Sequence, residues 1–158
     1  STTGRSRIWE LSFTDIANPE LGGTLKVAGD GGLGGTAFQM ADNLTVDKKS
    51  GHVLFQEDVG NTARLGKIWG LNPANGALTE LAAHDPALFT IGLPGFLTQD
   101  EEASGIIDVT DLFKGVAGYD IKANRYYLMS DQVHLAAPGE LVEGGQFQLL
   151  AVPAALVK

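Results

Sequence analysis

Residues 7–29 read RIWELSFTDIANPELGGTLKVAG, and residues 67–85 read KIWGLNPANGALTELAAHD. Each stretch opens with a basic residue followed by Ile-Trp-x-Leu. Each then crosses a turn containing Asn, Pro and Gly, and closes on a second short run, TLKVA or ALTELAA. The two are 60 positions apart. Recurrence at a fixed offset is the mark of a repeated structural unit. The unit here is a pair of short strands: β-branched and aromatic residues bounded by turn formers.

A second, weaker recurrence lies between these units. ADNLTVDKKSGHVLFQED (41–58) reads as strand, turn, strand, with Asp47 to Gly51 supplying the turn chemistry. SGIIDV (104–109) resembles NLTVD at an offset of about 61, so that Asp108 falls where Asp47 fell. NRYYLMSDQ (124–132) matches GHVLFQED, and GQFQLLAV (145–152) takes the place of the Ile-Trp strand. With four strands a to d per unit, residues 7–28 supply c and d. Residues 38–83 supply a to d, and residues 104–152 supply a, b and c. The expected fold is all-β: a single domain over residues 1–158 forming a partial β-propeller of about two and a half antiparallel blades. An ordinary antiparallel sandwich is the alternative. Closed propellers have about four or more blades, and an open rim leaves unpaired strand edges. The ring is therefore expected to be completed by another chain or copy, or by the rest of a longer protein.

Composition agrees. The chain has 158 residues, 44% hydrophobic and 19% charged, with 21 glycines. Blocks rich in Ala, Glu, Lys and Leu are scarce, which disfavours helices. The net charge of −8 disfavours nucleic acid and anionic membrane, because no basic field offsets phosphate repulsion; it suits divalent cations. The absence of cysteine excludes disulfides, zinc-thiolate sites and thiol nucleophiles. No apolar run approaches the roughly 20 residues of a membrane helix. The opening STTGRSRIWE has no signal-peptide core, so any export leader is expected to have been removed or never to have existed.

Four groups of residues are candidates for chemistry. GDGGLGG (29–35) has the G-x-G-x-x-G spacing, but the TAFQMADNLTVD that follows reads as strand, not helix, so a loop between sheets is expected in place of a dinucleotide site. Asp42 and Asn43 precede one strand, and Glu57, Asp58 and Asn61 sit at the far end of its partner. Hard cations take several oxygen ligands, and acidic loops of different blades converge at a propeller mouth; solvated turns capped by Asp and Asn are the alternative. Asp100, Glu101 and Glu102 stand side by side against the apolar SGII. Strand neighbours point to opposite faces, so Glu101 or Glu102 is expected to face a metal while its neighbour meets solvent. Of the histidines, His52 reads as surface, His84 as structural and His134 as the functional one. None forms a zinc pattern. Asn43-Leu44-Thr45 is a formal glycosylation acceptor read as a chance match. No Ser lies in G-x-S-x-G, so a triad hydrolase is not expected.

Taken together, DNLTVD with VLFQED, TQDEEASGIID, and DQVH with PGELVEGGQFQLL resemble the C-terminal part of the PhoX-type alkaline phosphatases, over nearly the whole chain from RIWELSF onward. The resemblance implies an exported, periplasmic or secreted β-propeller with calcium, sometimes iron, at the channel mouth, and hydrolysis of phosphomonoesters. By position it matches Glu57 and Asp58 to the family's acidic strand end, Glu101 and Glu102 to its paired-Glu motif, and Asp131 and His134 to its Asp-Gln-x-His segment. On that basis the metal ligands are expected among Asp42, Glu57, Asp58, Glu101, Glu102 and Asp131, and the catalytic groups among Glu57, Asp58 and His134. The chain lacks the family's N-terminal half and its cysteine ligand. Two functions follow: part of a calcium-dependent phosphomonoesterase, or a non-catalytic, calcium-stabilised binding or assembly module.

Overall fold

The computed structural model describes residues 6–32, 37–136, 138–139 and 143–158. The Leu33–Thr36 part of the glycine-rich loop, and residues 140–142 of the PGELVEGGQ motif, lie outside the described residues, as do residues 1–5.

Among the described residues, alternating and short apolar runs become nine strands: β1 (Arg7–Phe13), β2 (Gly23–Asp30), β3 (Ala41–Val46), β4 (Val53–Glu57), β5 (Lys67–Leu71), β6 (Leu78–Ala83), β7 (Glu101–Asp108), β8 (Asn124–Ala136) and β9 (Glu143–Pro153). One four-residue helix, α1 (Pro86–Phe89), follows β6, with the Asp85 side chain accepting from the Ala87 N–H at its start. The strands form three antiparallel sheets, each in chain order: β1-β2, then β3-β4-β5-β6, then β7-β8-β9. The all-β expectation and the strand grouping hold. β7, however, begins at Glu101 and draws the paired glutamates into the strand.

The sequence repeat has a structural counterpart in the sheet registers. β1 pairs with β2 through an irregularity between Ile8 and Trp9, and β5 pairs with β6 through one between Ile68 and Trp69, the equivalent positions. Consecutive strand residues point to opposite faces, so the Ile and Trp of each pair part, while the extra residue of each irregularity, Ala28 or Leu81, lies on the partner strand. Ile68 joins the core between the second and third sheets with Leu54, Ile106, Tyr127 and Met129. Trp69 joins the core between the first and second sheets with Phe38, Phe55 and Leu71. Phe38 and Phe55 meet edge to face, with centroids 4.7 Å apart at 64°, an arrangement that adds about 1 kcal/mol to their burial.

The sheets thus stack with one polarity, and among the described residues nothing covers the two apolar end faces. Ile8 packs towards the second sheet, whereas Trp9, Leu11, Phe13, Leu25 and Val27 on the other face are all exposed. At the far end Ile106, Tyr127 and Met129 face the second sheet, while Ile107, Leu128, Phe147 and Leu149 are exposed.

One turn ties the second sheet to the third. In the Asp47–Gly51 turn, Asp47 Oδ1 accepts from Lys49 N, Ser50 N and Ser50 Oγ at 3.0, 2.7 and 2.9 Å, and Gly51 takes φ +77°. Its other oxygen accepts from the Tyr127 hydroxyl of the third sheet at 2.7 Å. Asp108, the repeat equivalent of Asp47, accepts from Lys48 N at 3.2 Å. Gly31, from the glycine-rich loop, comes close to the Phe38 carbonyl: a Cβ there would lie 2.0 Å from that oxygen. For this glycine the structure supplies a packing reason.

Candidate metal centre

β3 and β4 run antiparallel with Ala41 opposite Glu57, so the start of β3 and the end of β4 lie at the same end of the sheet. Asp58, just past β4, forms an isolated bridge with Glu102, the second residue of β7. Asp42, Asp58 and Glu102 therefore converge from two sheets, with one carboxylate oxygen of each within 4.8 Å of the others. Among the described residues this is the one group of three acidic or histidine side chains so placed. Asp42 is exposed and the other two are half-buried. A cavity of about 300 Å³ lined by Met40, Ala41, Asp42, Asp58 and Gly60 opens beside them.

Local bonds orient each carboxylate and leave oxygens free. Asn43 Nδ2 donates to Asp42 Oδ2 at 2.8 Å, and Gly60 N to Asp58 Oδ1 at 3.0 Å. Ser104 Oγ donates to Glu102 Oε1 at 2.8 Å and itself accepts from Gln132. His134 Nε2 stands 3.6 Å from Glu102 Oε2, and its Nδ1 donates to Glu143 Oε2 at 2.8 Å. Desolvation alone would lower the His134 pKa; the bond and charge of Glu143, with Glu102 and Asp100, hold it above the ordinary imidazole value. An all-oxygen, three-carboxylate donor set fits a hard divalent cation of the calcium kind. It offers nothing soft, and both His134 nitrogens already face carboxylates, so iron has the poorer fit.

The remaining acidic residues singled out from the sequence do not join this group. Glu57 is fully buried on the core side of β4. Its Oε1 accepts from Arg64 Nη2 at 2.6 Å, Trp69 Nε1 at 3.1 Å and Gln39 N at 3.0 Å, and its Oε2 accepts from Arg64 Nε at 3.0 Å. Glu101 and Glu102 do take opposite faces, but the neighbour of the clustered Glu102 is not in solvent. Glu101 is 1% exposed, between the second and third sheets. Its Oε1 accepts from Gly66 N at 3.3 Å and lies 3.9 Å from His84 Nδ1, and burial raises its carboxyl above the usual range. Asp131 shares that face and accepts from His84 Nε2 at 2.8 Å. His84, half-buried just past β6, is therefore a cross-sheet tie, as its structural reading implied. His52 is buried, not on the surface, because the turn that precedes it folds back on the core.

Sequence reasoning missed Arg64, Ser104 and the backbone of Met40. Met40 takes φ +48°, the left-handed region, and is the one non-glycine among the described residues to do so. Arg64 had a signal, a cation set seven residues after Glu57 in a chain with few cations. The Met40 conformation had none.

No family model, no curated protein and no solved structure matches the chain.

Proposed function

We propose that this chain is a portion of a β-propeller that holds a calcium-class cation at Asp42, Asp58 and Glu102, and that in the completed ring it belongs to a PhoX-like hydrolase of phosphomonoesters. The observation that carries the reading is the convergence of three carboxylates from two neighbouring sheets on one open end. Three carboxylates within 4.8 Å of one another repel, and a cation standing among them offsets that repulsion. On this reading each sheet is a blade, and the two exposed apolar end faces are covered by another chain or copy. A site with one exposed ligand fits the high calcium levels outside the cytoplasm, in keeping with a periplasmic or secreted location.

In the hydrolase, Asp42, Asp58 and Glu102 would hold the cation, which when bound would supply polarisation of the phosphoryl oxygens and easier ionisation of an attacking water. Glu143 orients the His134 ring, whose Nε2 faces the cluster and is placed to exchange a proton there.

One observation favours the second reading, a non-catalytic module stabilised by calcium. Arg64, the guanidinium nearest in sequence to Asp58, is engaged by Glu57 and the Ala37 carbonyl and is not presented to a phosphate. The two readings separate in one experiment. Thermal unfolding and p-nitrophenyl phosphate turnover are measured with calcium and with EDTA, for wild type and for an Asp58→Asn/Glu102→Gln variant. Calcium-dependent melting that the variant loses supports the site, and accompanying EDTA-sensitive turnover selects the hydrolase. A wild-type melting temperature indifferent to calcium, or turnover that survives EDTA, overturns the proposal.

A further inference from the structure

Glu57 and Asp58 are chain neighbours with opposite environments. Asp58 reaches the open cluster, whereas Glu57 lies in the core with four hydrogen bonds to its carboxylate. Two of those donors belong to Arg64, whose side chain is only 23% exposed. The same guanidinium donates from Nη2 to the Ala37 carbonyl at 3.0 Å. Glu57 Oε1 accepts the Gln39 N–H at 3.0 Å, and the Met40 carbonyl accepts the Asp58 N–H at 2.9 Å. The segment from Ala37 to Met40 is thus gripped at three successive points, from the end of β4 and from Arg64. It enters β3 through Met40 at φ +48°, a backbone state that L-residues hold only when their surroundings impose it. Two residues later comes Asp42.

We infer that Glu57 and Arg64 are positioning residues for the cation cluster: their ion pair, buried at Glu57 and half-buried at Arg64, holds the segment 37–40 in its left-handed turn and so sets Asp42 across from Asp58. The inference rests on the cation reading above and reassigns Glu57 within it, from a ligand to the anchor behind one. A buried anchor is a better use of this glutamate than ligation. Its oxygens already accept four donors, all of which it would forfeit on turning to a cation. Anchors of this kind act on affinity through geometry: orienting groups behind metal ligands typically alter binding by about 10- to 100-fold.

The test is the calcium dissociation constant by titration calorimetry, with far-UV circular dichroism, well below each variant's melting temperature. Glu57→Gln keeps the volume and an acceptor for Trp69 and Gln39 but loses the charge facing Arg64. Its calcium affinity is expected to fall by about 10- to 100-fold. Adding Met40→Gly to Glu57→Gln should restore most of that affinity, because glycine takes positive φ without an outside clamp. A merely structural ion pair would lower the melting temperature without moving the dissociation constant and would give no rescue by a glycine. Should Glu57→Gln not fold, Arg64→Lys decides. It keeps a positive charge but loses the fork that spans Glu57 and Ala37, and a roughly tenfold loss is expected. Wild-type calcium affinity in the folded variants overturns the inference alone. Absence of calcium binding by the wild type overturns the cation reading and the inference with it.

Discussion

Replacing Tyr127 with Phe deletes one oxygen and tests the joint between the second and third sheets. Tyr127 is fully buried on β8, and its hydroxyl donates to Asp47 Oδ2 at 2.7 Å across 80 residues of chain. Burial and the Asp47 bond push its phenol above the ordinary range, so it stays a donor at every working pH. Asp47 is itself fully buried, with its other oxygen taken by Lys49 and Ser50. The nearest substitute partner for Oδ2 is Arg125 Nε, 3.5 Å away. An internal hydrogen bond to a charged acceptor contributes about 1.5–3 kcal/mol, and stranding the acceptor places the loss toward the upper part, about 2–3 kcal/mol. In a chain of this size that corresponds to a melting temperature lower by roughly 4–12 °C.

The same bond carries a pH signature. Burial alone would raise the Asp47 carboxyl, but the bonds from Tyr127, Ser50 and Lys49 outweigh it and hold its pKa below the usual carboxylate range. A depressed carboxylate stabilises the fold above its unfolded pKa, about 3.9, and that contribution is lost as pH falls through the folded value. The Tyr127→Phe penalty should therefore be complete at pH 7 and shrink below about pH 4. Urea unfolding of both proteins at the two pH values, followed by tryptophan fluorescence, measures it. Equal midpoints at pH 7, or a penalty unchanged in acid, would refute the reasoning.

Two further outcomes follow from the geometry. Burial alone would lower the His84 pKa, but the hydrogen bond and charge of Asp131, with the Glu101 charge and the Gly66 backbone, hold it above the ordinary value. A raised histidine stabilises fully below its unfolded pKa, about 6.5, and less as pH climbs through the folded value, so the wild-type melting temperature should decline there and His84→Gln should flatten that slope. If copies complete the ring, sedimentation should show a mass above the 16.6 kDa of one chain, and Trp9→Ser with Phe147→Ser should lower it while costing each chain within about 0.5 kcal/mol; a wild-type monomer would rule out completion by copies.

Much of the architecture was legible because local chemistry and period carry it. The Ile-Trp-x-Leu recurrence predicted paired strands; that both pairings slip at the same Ile-Trp step came only from the registers. The Asp47–Gly51 turn was readable from its residue types, and strand alternation foretold that Glu101 and Glu102 would part. The candidate site was only partly legible. Asp42, Asp58 and Glu102 were among the expected ligands, yet so were Glu57, Glu101 and Asp131. Nothing local distinguishes a carboxylate bound for an open end from one bound for the core. That difference is made by which partners the fold brings in: Arg64 and Trp69, 7 and 12 residues on, for Glu57, and His84 for both Glu101 and Asp131.

The residues by themselves determined the strands and their turns, which depend on neighbours within a few positions, their grouping into three sheets, through the recurrence at about 60 residues, and an acidity that favours cations, through composition. Tertiary structure alone decided which carboxylates meet. A one-residue bulge or a left-handed turn sends a side chain to the opposite face, and the packing between sheets settles whether that face is core or solvent.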